Sequence, residues 1–126
     1  MAAGDLVEVT LWHATAIASG GTLTSVPLSS AVMDPEILLL KAVSAAGVAA
    51  VKVEVELDQD GAGTYGTATA QDPLCASTAT EFAGQLPEER HVLALPALPR
   101  FRILVTELAS LSDTLVSATA IFRLRS

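Results

Sequence analysis

The sequence predicts an all-β fold: an antiparallel β-sandwich, jelly-roll-like, with about seven to nine strands. Three observations point there. Apolar and polar residues alternate at period two in several separate segments, and glycine, proline and aspartate punctuate the chain between them. The chain is 51% hydrophobic but only 4% aromatic, so its core is expected to be built mainly from Val, Leu, Ile and Ala. At 126 residues it reads as one domain, 1–126, able to bury about two-thirds of its unfolded surface without disulfides or a structural metal.

Taken in order, Val7, Val9 and Leu11 alternate with Glu8 and Thr10 and form the first strand. A weaker candidate spans 23–28, after Gly20-Gly21. Residues 37–45 favour strand; the competing reading is a short helix, since Leu-Leu-Leu-Lys-Ala has good helix propensity and Asp34-Pro35-Glu36 suits a helix start. Against the helix, Gly47 leaves only about ten residues for it. The clearest strand is 49–57, with Ala49, Val51, Val53, Val55 and Leu57 on one side and Lys52, Glu54 and Glu56 on the other. Weaker candidates follow at 64–70, 80–83 and 91–95. Phe101, Ile103 and Val105 then alternate with Arg100, Arg102 and Thr106. The last strand, 115–125, puts Ala118, Ala120, Phe122 and Leu124 on one face and Ser117, Thr119, Ile121 and Arg123 on the other. Turns are expected at Gly20-Gly21, Asp34-Pro35, Gly47, Asp60-Gly61, Gly63, Gly66, Asp72-Pro73, Leu86-Pro87, Pro96 and Pro99. Segment 71–89 reads as a long loop, a candidate to order on docking.

The net charge of −7 argues against a general nucleic-acid binder, which needs clustered Lys and Arg to displace counterions. Residues 1–89 carry 12 acidic side chains against Lys41 and Lys52, whereas 90–126 carry five arginines against Glu107 and Asp113, a partition of −10 and +3. That asymmetry suits head-to-tail docking between copies, although charge blocks more often simply solvate a surface. The N-terminus has neither a basic n-region nor a continuous apolar h-region, and the longest apolar runs stop at Lys41 and Lys52, short of the ~20 residues of a membrane helix. No membrane association is expected.

Motifs that carry chemistry are weak. Asp58-Gln59-Asp60-Gly61 opens like a calcium loop, but Thr67 stands where the bidentate Glu belongs, and a hairpin turn explains the residues more simply. His13 and His91 are too few for a multi-histidine metal site, and Gly20-Gly21-Thr22 lacks the lysine of a phosphate loop. No G-x-S-x-G accompanies the serines. Cys75 is the single cysteine, read as a small loop or core residue with a reactive thiol as the alternative. No catalytic residue, metal site or cofactor is expected.

The run Val51-Lys52-Val53-Glu54-Val55-Glu56-Leu57-Asp58-Gln59-Asp60-Gly61-Ala62-Gly63-Thr64-Tyr65 resembles a strand, Asp-Gly turn and aromatic found in small β-sandwich structural proteins of tailed bacteriophage virions. Pro96 to Thr106 is similar to the segment leading into their next-to-last strand, and 115–125 to their final one. The likeness spans roughly 37–125; the Ala-rich composition and residues 1–30 depart from it. It implies a non-enzymatic component of a phage-like particle, a capsid cement or decoration protein or a small tail or neck component. Such a protein would assemble in the host cytoplasm and reside in the virion. Its partners would be a major capsid protein or another virion protein, and further copies of itself, a trimer being favoured. Arg100, Arg102, Arg123 and Arg125 are then expected at acidic partner surfaces, with Leu104, Leu108 and Ile121 as apolar interface positions on outer sheet faces; the alternative is that the same monomer covers them. Reversing Arg100 and Arg102 to Glu is expected to abolish assembly and spare the fold. The rival reading is a carbohydrate- or receptor-binding sandwich associated with a phage tail, for which Trp12 and Tyr65 are the candidate aromatic contacts.

Overall fold

The computed structural model describes residues 4–30, 33–44, 49–58, 61–67, 80–84, 90–95, 98–108 and 114–125. Cys75, Gln59, Asp60 and the turns at Gly47, Asp72-Pro73, Leu86-Pro87 and Pro96 lie outside them, as does the 68–70 end of the strand expected at 64–70.

Ten strand elements form two antiparallel sheets: β1 (Leu6–Ala16), β2 (Thr22–Thr24), β3 (Leu28–Ser29), β4 (Met33–Val43), β5 (Ala49–Leu57), β6 (Gly66–Thr67), β7 (Thr80–Gly84), β8 (Arg90–Ala94), β9 (Arg100–Glu107) and β10 (Leu115–Leu124). Sheet I has the order β1-β10-β4-β8. In sheet II, β2 and β3 lie along one side of β9, β5 pairs with its other side, and β6 and β7 lie along the far side of β5. Counting β2 with β3 and β6 with β7 as interrupted single strands leaves eight, whose crossings between the sheets follow a jelly roll. The fold class is the one the alternation predicts.

Between the sheets lies one core. Sheet I contributes Leu38, Leu40 and Ala42 from β4 and Val116, Ala118, Ala120 and Phe122 from β10; sheet II contributes Val51, Val53 and Val55 from β5 and Phe101, Ile103 and Val105 from β9. The inward residues are the alternating ones, because successive side chains of a strand leave on opposite faces.

Four elements differ from the sequence expectation for identifiable reasons. The stretch 37–45 is strand, not helix, through Val43, with Ala45 outside the described residues, and it begins earlier, running through Asp34-Pro35. A bulge at Glu36 on β4, the extra residue between the pairs Ile37–Ile121 and Pro35–Phe122, accommodates the proline, which lies beyond the reach of the last residue of β8, so no ladder hydrogen bond to β8 is lost. The 23–28 candidate is split into β2 and β3 at Ser25-Val26-Pro27, where Ser25 keeps the ladder continuous: its hydroxyl accepts the Ile103 N–H at 2.9 Å. The first strand extends to Ala16 through two register shifts, after Thr10 and after Trp12, and Ala14 takes a positive φ of 45° with its N–H donated to Ser117 Oγ at 2.8 Å. Within 71–89, read as a long loop, residues 80–84 form β7 against β5, where the weaker strand candidate 80–83 was placed.

Among the described residues, buried polar groups are few. Thr114, fully buried where its carbonyl accepts the Ile17 N–H, has a hydroxyl for which no hydrogen-bond partner is found among the described residues. Because an unmet buried hydroxyl is destabilising, Thr114→Val is expected to be neutral or to stabilise by up to about 1 kcal/mol, read as an unchanged or raised urea midpoint.

Candidate interaction surfaces

The four C-terminal arginines lie toward one end of the sandwich, and each meets a carboxylate of its own chain. Arg102, directly opposite Glu56 in the β9–β5 ladder, donates from Nε to Glu56 Oε1 at 2.6 Å, and its guanidinium carbon sits 4.3 Å from the centre of the Tyr65 ring. Arg100 donates to the Asp58 carbonyl at 3.2 Å and lies 3.9 Å from its carboxylate. Arg123 bonds Glu36 at 2.6 Å and the Gly4 carbonyl at 2.9 Å; Arg125 pairs with Asp34 at 3.3 Å and donates to the Ser30 carbonyl. Each of these arginines thus has an acidic partner within the fold. Reversing Arg100 and Arg102 would remove internal pairs and does not isolate assembly.

The seven expected interface positions do not share a face. Arg100, Arg102 and Leu104 lie on the outer face of sheet II, where Leu104 is half-buried between Thr24 and Glu54. Leu108 is exposed just past the far end of β9. Ile121 and Arg123 are on the opposite outer face, that of sheet I, and Arg125 follows β10. Ile121 is only 8% exposed, because β10 lies centrally between β1 and β4 and the residue is flanked by Glu8 and Ile37 in its row.

The motifs that suggested chemistry resolve into turn architecture. The buried Asp58 carboxylate accepts the N–H groups of Gly61 and Gly63, each at 3.1 Å, and both glycines take positive φ, 76° and 87°. At Gly20-Gly21, the Gly20 N–H donates to the buried Glu107 carboxylate at 2.9 Å, and the Gly21 N–H closes a turn on the Ala18 carbonyl at 2.7 Å. His13 is exposed on the bulged part of β1, and no group of three or more potential metal ligands occurs among the described residues. The two aromatic candidates for sugar contact are engaged inside the chain: Trp12 packs on the core and Tyr65 lies beneath Arg102.

What the sequence did not reveal is the outer face of sheet I. Leu39 of β4 and Val92 of β8 are direct partners, both exposed, Val92 at 66%; Ala94 is exposed beside Ile37. Leu39, Lys41, Val92, Ser117 and Thr119 line a shallow groove of about 280 Å³ over this face. At the opposite edge Leu6 is 54% exposed and Glu8 exposed. The short run 91–95 carried too little alternation to show which of its residues face out.

No protein-family model matches the chain, and no curated protein does. Among solved structures, it is similar to part of a 4-O-methyl-α-glucuronidase with specificity for decorated arabinogalactans, at a TM-score of 0.51 and 9% identity. That match covers 87% of this chain but only 14% of the glucuronidase chain. It also resembles a chain of infectious bursal disease virus, Gx strain, at a TM-score of 0.46 and 11% identity, covering 96% of this chain and 32% of that one. A capsid chain of cyanophage Pam1 matches at 0.40 and 12% identity, covering 97% and 86%. The structural neighbours thus include viral capsid chains alongside modules of carbohydrate-active proteins, at identities that speak to the β-sandwich fold alone.

Proposed function

We propose that the chain is a non-enzymatic structural protein of a phage-like particle, a cement or decoration protein whose work is done through subunit contacts. The observation that carries this reading is the exposed apolar row of sheet I, Leu39 and Val92, with the groove beside it. Contiguous exposed apolar surface marks an interaction site more readily than it marks a reaction centre. The resemblance of 51–65, 96–106 and 115–125 to virion sandwich proteins supports the same reading, and the internal engagement of Trp12 and Tyr65 weighs against a sugar-binding face. Its partners are a capsid protein and further copies of itself, and its place is the virion, reached after assembly in the host cytoplasm.

The test is the composition of phage-like particles purified from cells that encode the chain, together with the heat resistance of shells stripped of it and then reconstituted. The expected result is a high copy number per particle and a shell that ruptures at lower temperature without it. Absence from purified particles overturns the reading, and glycan binding without particle association replaces it with the sugar-binding one.

A further inference from the structure

An unpaired strand edge is a template for another strand, and proteins usually break such edges with bulges, prolines or charges. In sheet II the β2/β3 edge is interrupted at Ser25-Val26-Pro27, and the other edge is divided between β6 and β7, with Glu81 within β7 and Gly84 at its end. In sheet I the second half of β1 is bulged twice. Two regular stretches are left, at opposite edges of the same sheet: residues 6–10 of β1 and residues 90–94 of β8. Each pairs on one side only among the described residues.

Their backbone groups are complementary. The Leu95 N–H bonds the Glu36 carbonyl at 3.1 Å, which in an antiparallel ladder makes 38/93 and 40/91 the bonded pairs and turns the N–H and C=O of 90, 92 and 94 outward. The Leu124 N–H bonds the Asp5 carbonyl at 2.9 Å, so positions 7 and 9 address β10 while 6, 8 and 10 turn outward. Every pairing in the sheet is antiparallel, so β8 runs opposite to β1. A second copy in the same orientation therefore lays its β1 antiparallel on β8, head to tail.

One register satisfies the chemistry as well. With Val92 opposite Leu6 of the second copy, position 90 falls opposite Glu8 of that copy. All four positions are outward-bonding and lie on the outer face of the sheet. The apolar pair joins the two most exposed large hydrophobic residues of that face among the described residues, and register position 90, an arginine that pairs with Lys41 on β4, falls opposite the exposed Glu8. Cross-strand pairs of both kinds are favourable, and charge complementarity fixes register and orientation.

We infer that copies of this chain associate by adding β1 of one to β8 of the next, with Val92 on Leu6 and Arg90 on Glu8. This is a heterologous contact, which closes into a ring or continues as a filament. The inference rests on the reading of the chain as a self-assembling structural protein, and it names the surface used.

The experiment is light scattering of the purified chain and its variants over a range of protein and salt concentrations, with circular dichroism as the check on folding. The wild type is expected to form species above the 13.0 kDa monomer that dissociate as salt rises. Glu8→Arg places Arg against Arg90, and Arg90→Glu places Glu against Glu8, so each alone is expected to fall to the monomer mass. Mixed in equal amounts, the two monomeric variants are expected to assemble again, because alternating them joins opposite charges at every junction of a filament or even-membered ring; that result also requires both to be folded. A monomeric wild type at all concentrations overturns the inference, while particle binding by that monomer leaves the structural reading standing. Single variants that remain assembled show that copies meet elsewhere and overturn it too.

Discussion

Phe101→Ala is expected to lower stability by about 3–5 kcal/mol, a large part of the 5–15 kcal/mol typical of a domain. Phe101 is fully buried on β9, opposite Leu28 on one side and Leu57 on the other. The chain has only three phenylalanines, and among the described residues Phe101 and Phe122 are the largest fully buried side chains. Most of the surrounding core is Val, Leu, Ile and Ala, short side chains that fill a phenyl-sized void poorly, so the penalty falls in the upper part of the range for large-to-small changes. Urea denaturation checks it: the midpoint falls while the slope holds. Phe101→Leu, which keeps most of the volume, is expected to lose about 1 kcal/mol. A loss of that size from Phe101→Ala would mean that the sheets close over the cavity.

The second large effect concerns a charge. Glu107, the last residue of β9, is 1% exposed; its carboxylate accepts the Gly20 N–H, and its own N–H bonds the Gly21 carbonyl at 2.9 Å. It thereby holds the β1–β2 turn against sheet II. Glu107→Ala removes that acceptor and leaves the turn's N–H without it, for which about 2–3 kcal/mol of destabilisation is expected. Glu107→Gln retains an oxygen in the same place and should recover most of the loss. Amide exchange at Gly20 provides a local reading: faster in the Ala variant, close to wild type in the Gln variant. Equal losses in both variants would show that charge, and not the hydrogen-bond acceptor, is what the site requires.

How much of this was legible beforehand differs by element. The β5 alternation is clean because the strand is central and one face is fully buried, and its bounds are those read from the sequence. β9 and β10 are similar. Pro35 was not legible as a strand residue because proline ordinarily ends a strand; the bulge at the adjacent Glu36 and the shorter reach of β8 make it tolerable there. The Leu11-Trp12 doublet, where the alternation of β1 slips phase, is the trace of the first bulge. The arginine pairs were not legible, since Arg102 and Glu56 are 46 residues apart and only strand register joins them. The edge positions of β1 and β8 required both the sheet order and the direction of each ladder.

The position of β10 bears on how the chain is made. It is synthesised after every other strand of the sandwich, yet it lies inside sheet I, between β1 and β4. While the ribosome is still adding residues 115–124, β1 has no ladder to join, and Leu38, Leu40 and Ala42 of β4 lack the neighbouring strand that completes their sheet. From the end of β4 to the end of β10 the ribosome adds about 80 residues, so at about 5–20 residues per second sheet I stays half-built for several seconds with apolar strand edges exposed. Closure of sheet I is thus a late step, and a ribosome halted before residue 115 should hold a nascent chain that engages holdase chaperones and remains sensitive to protease.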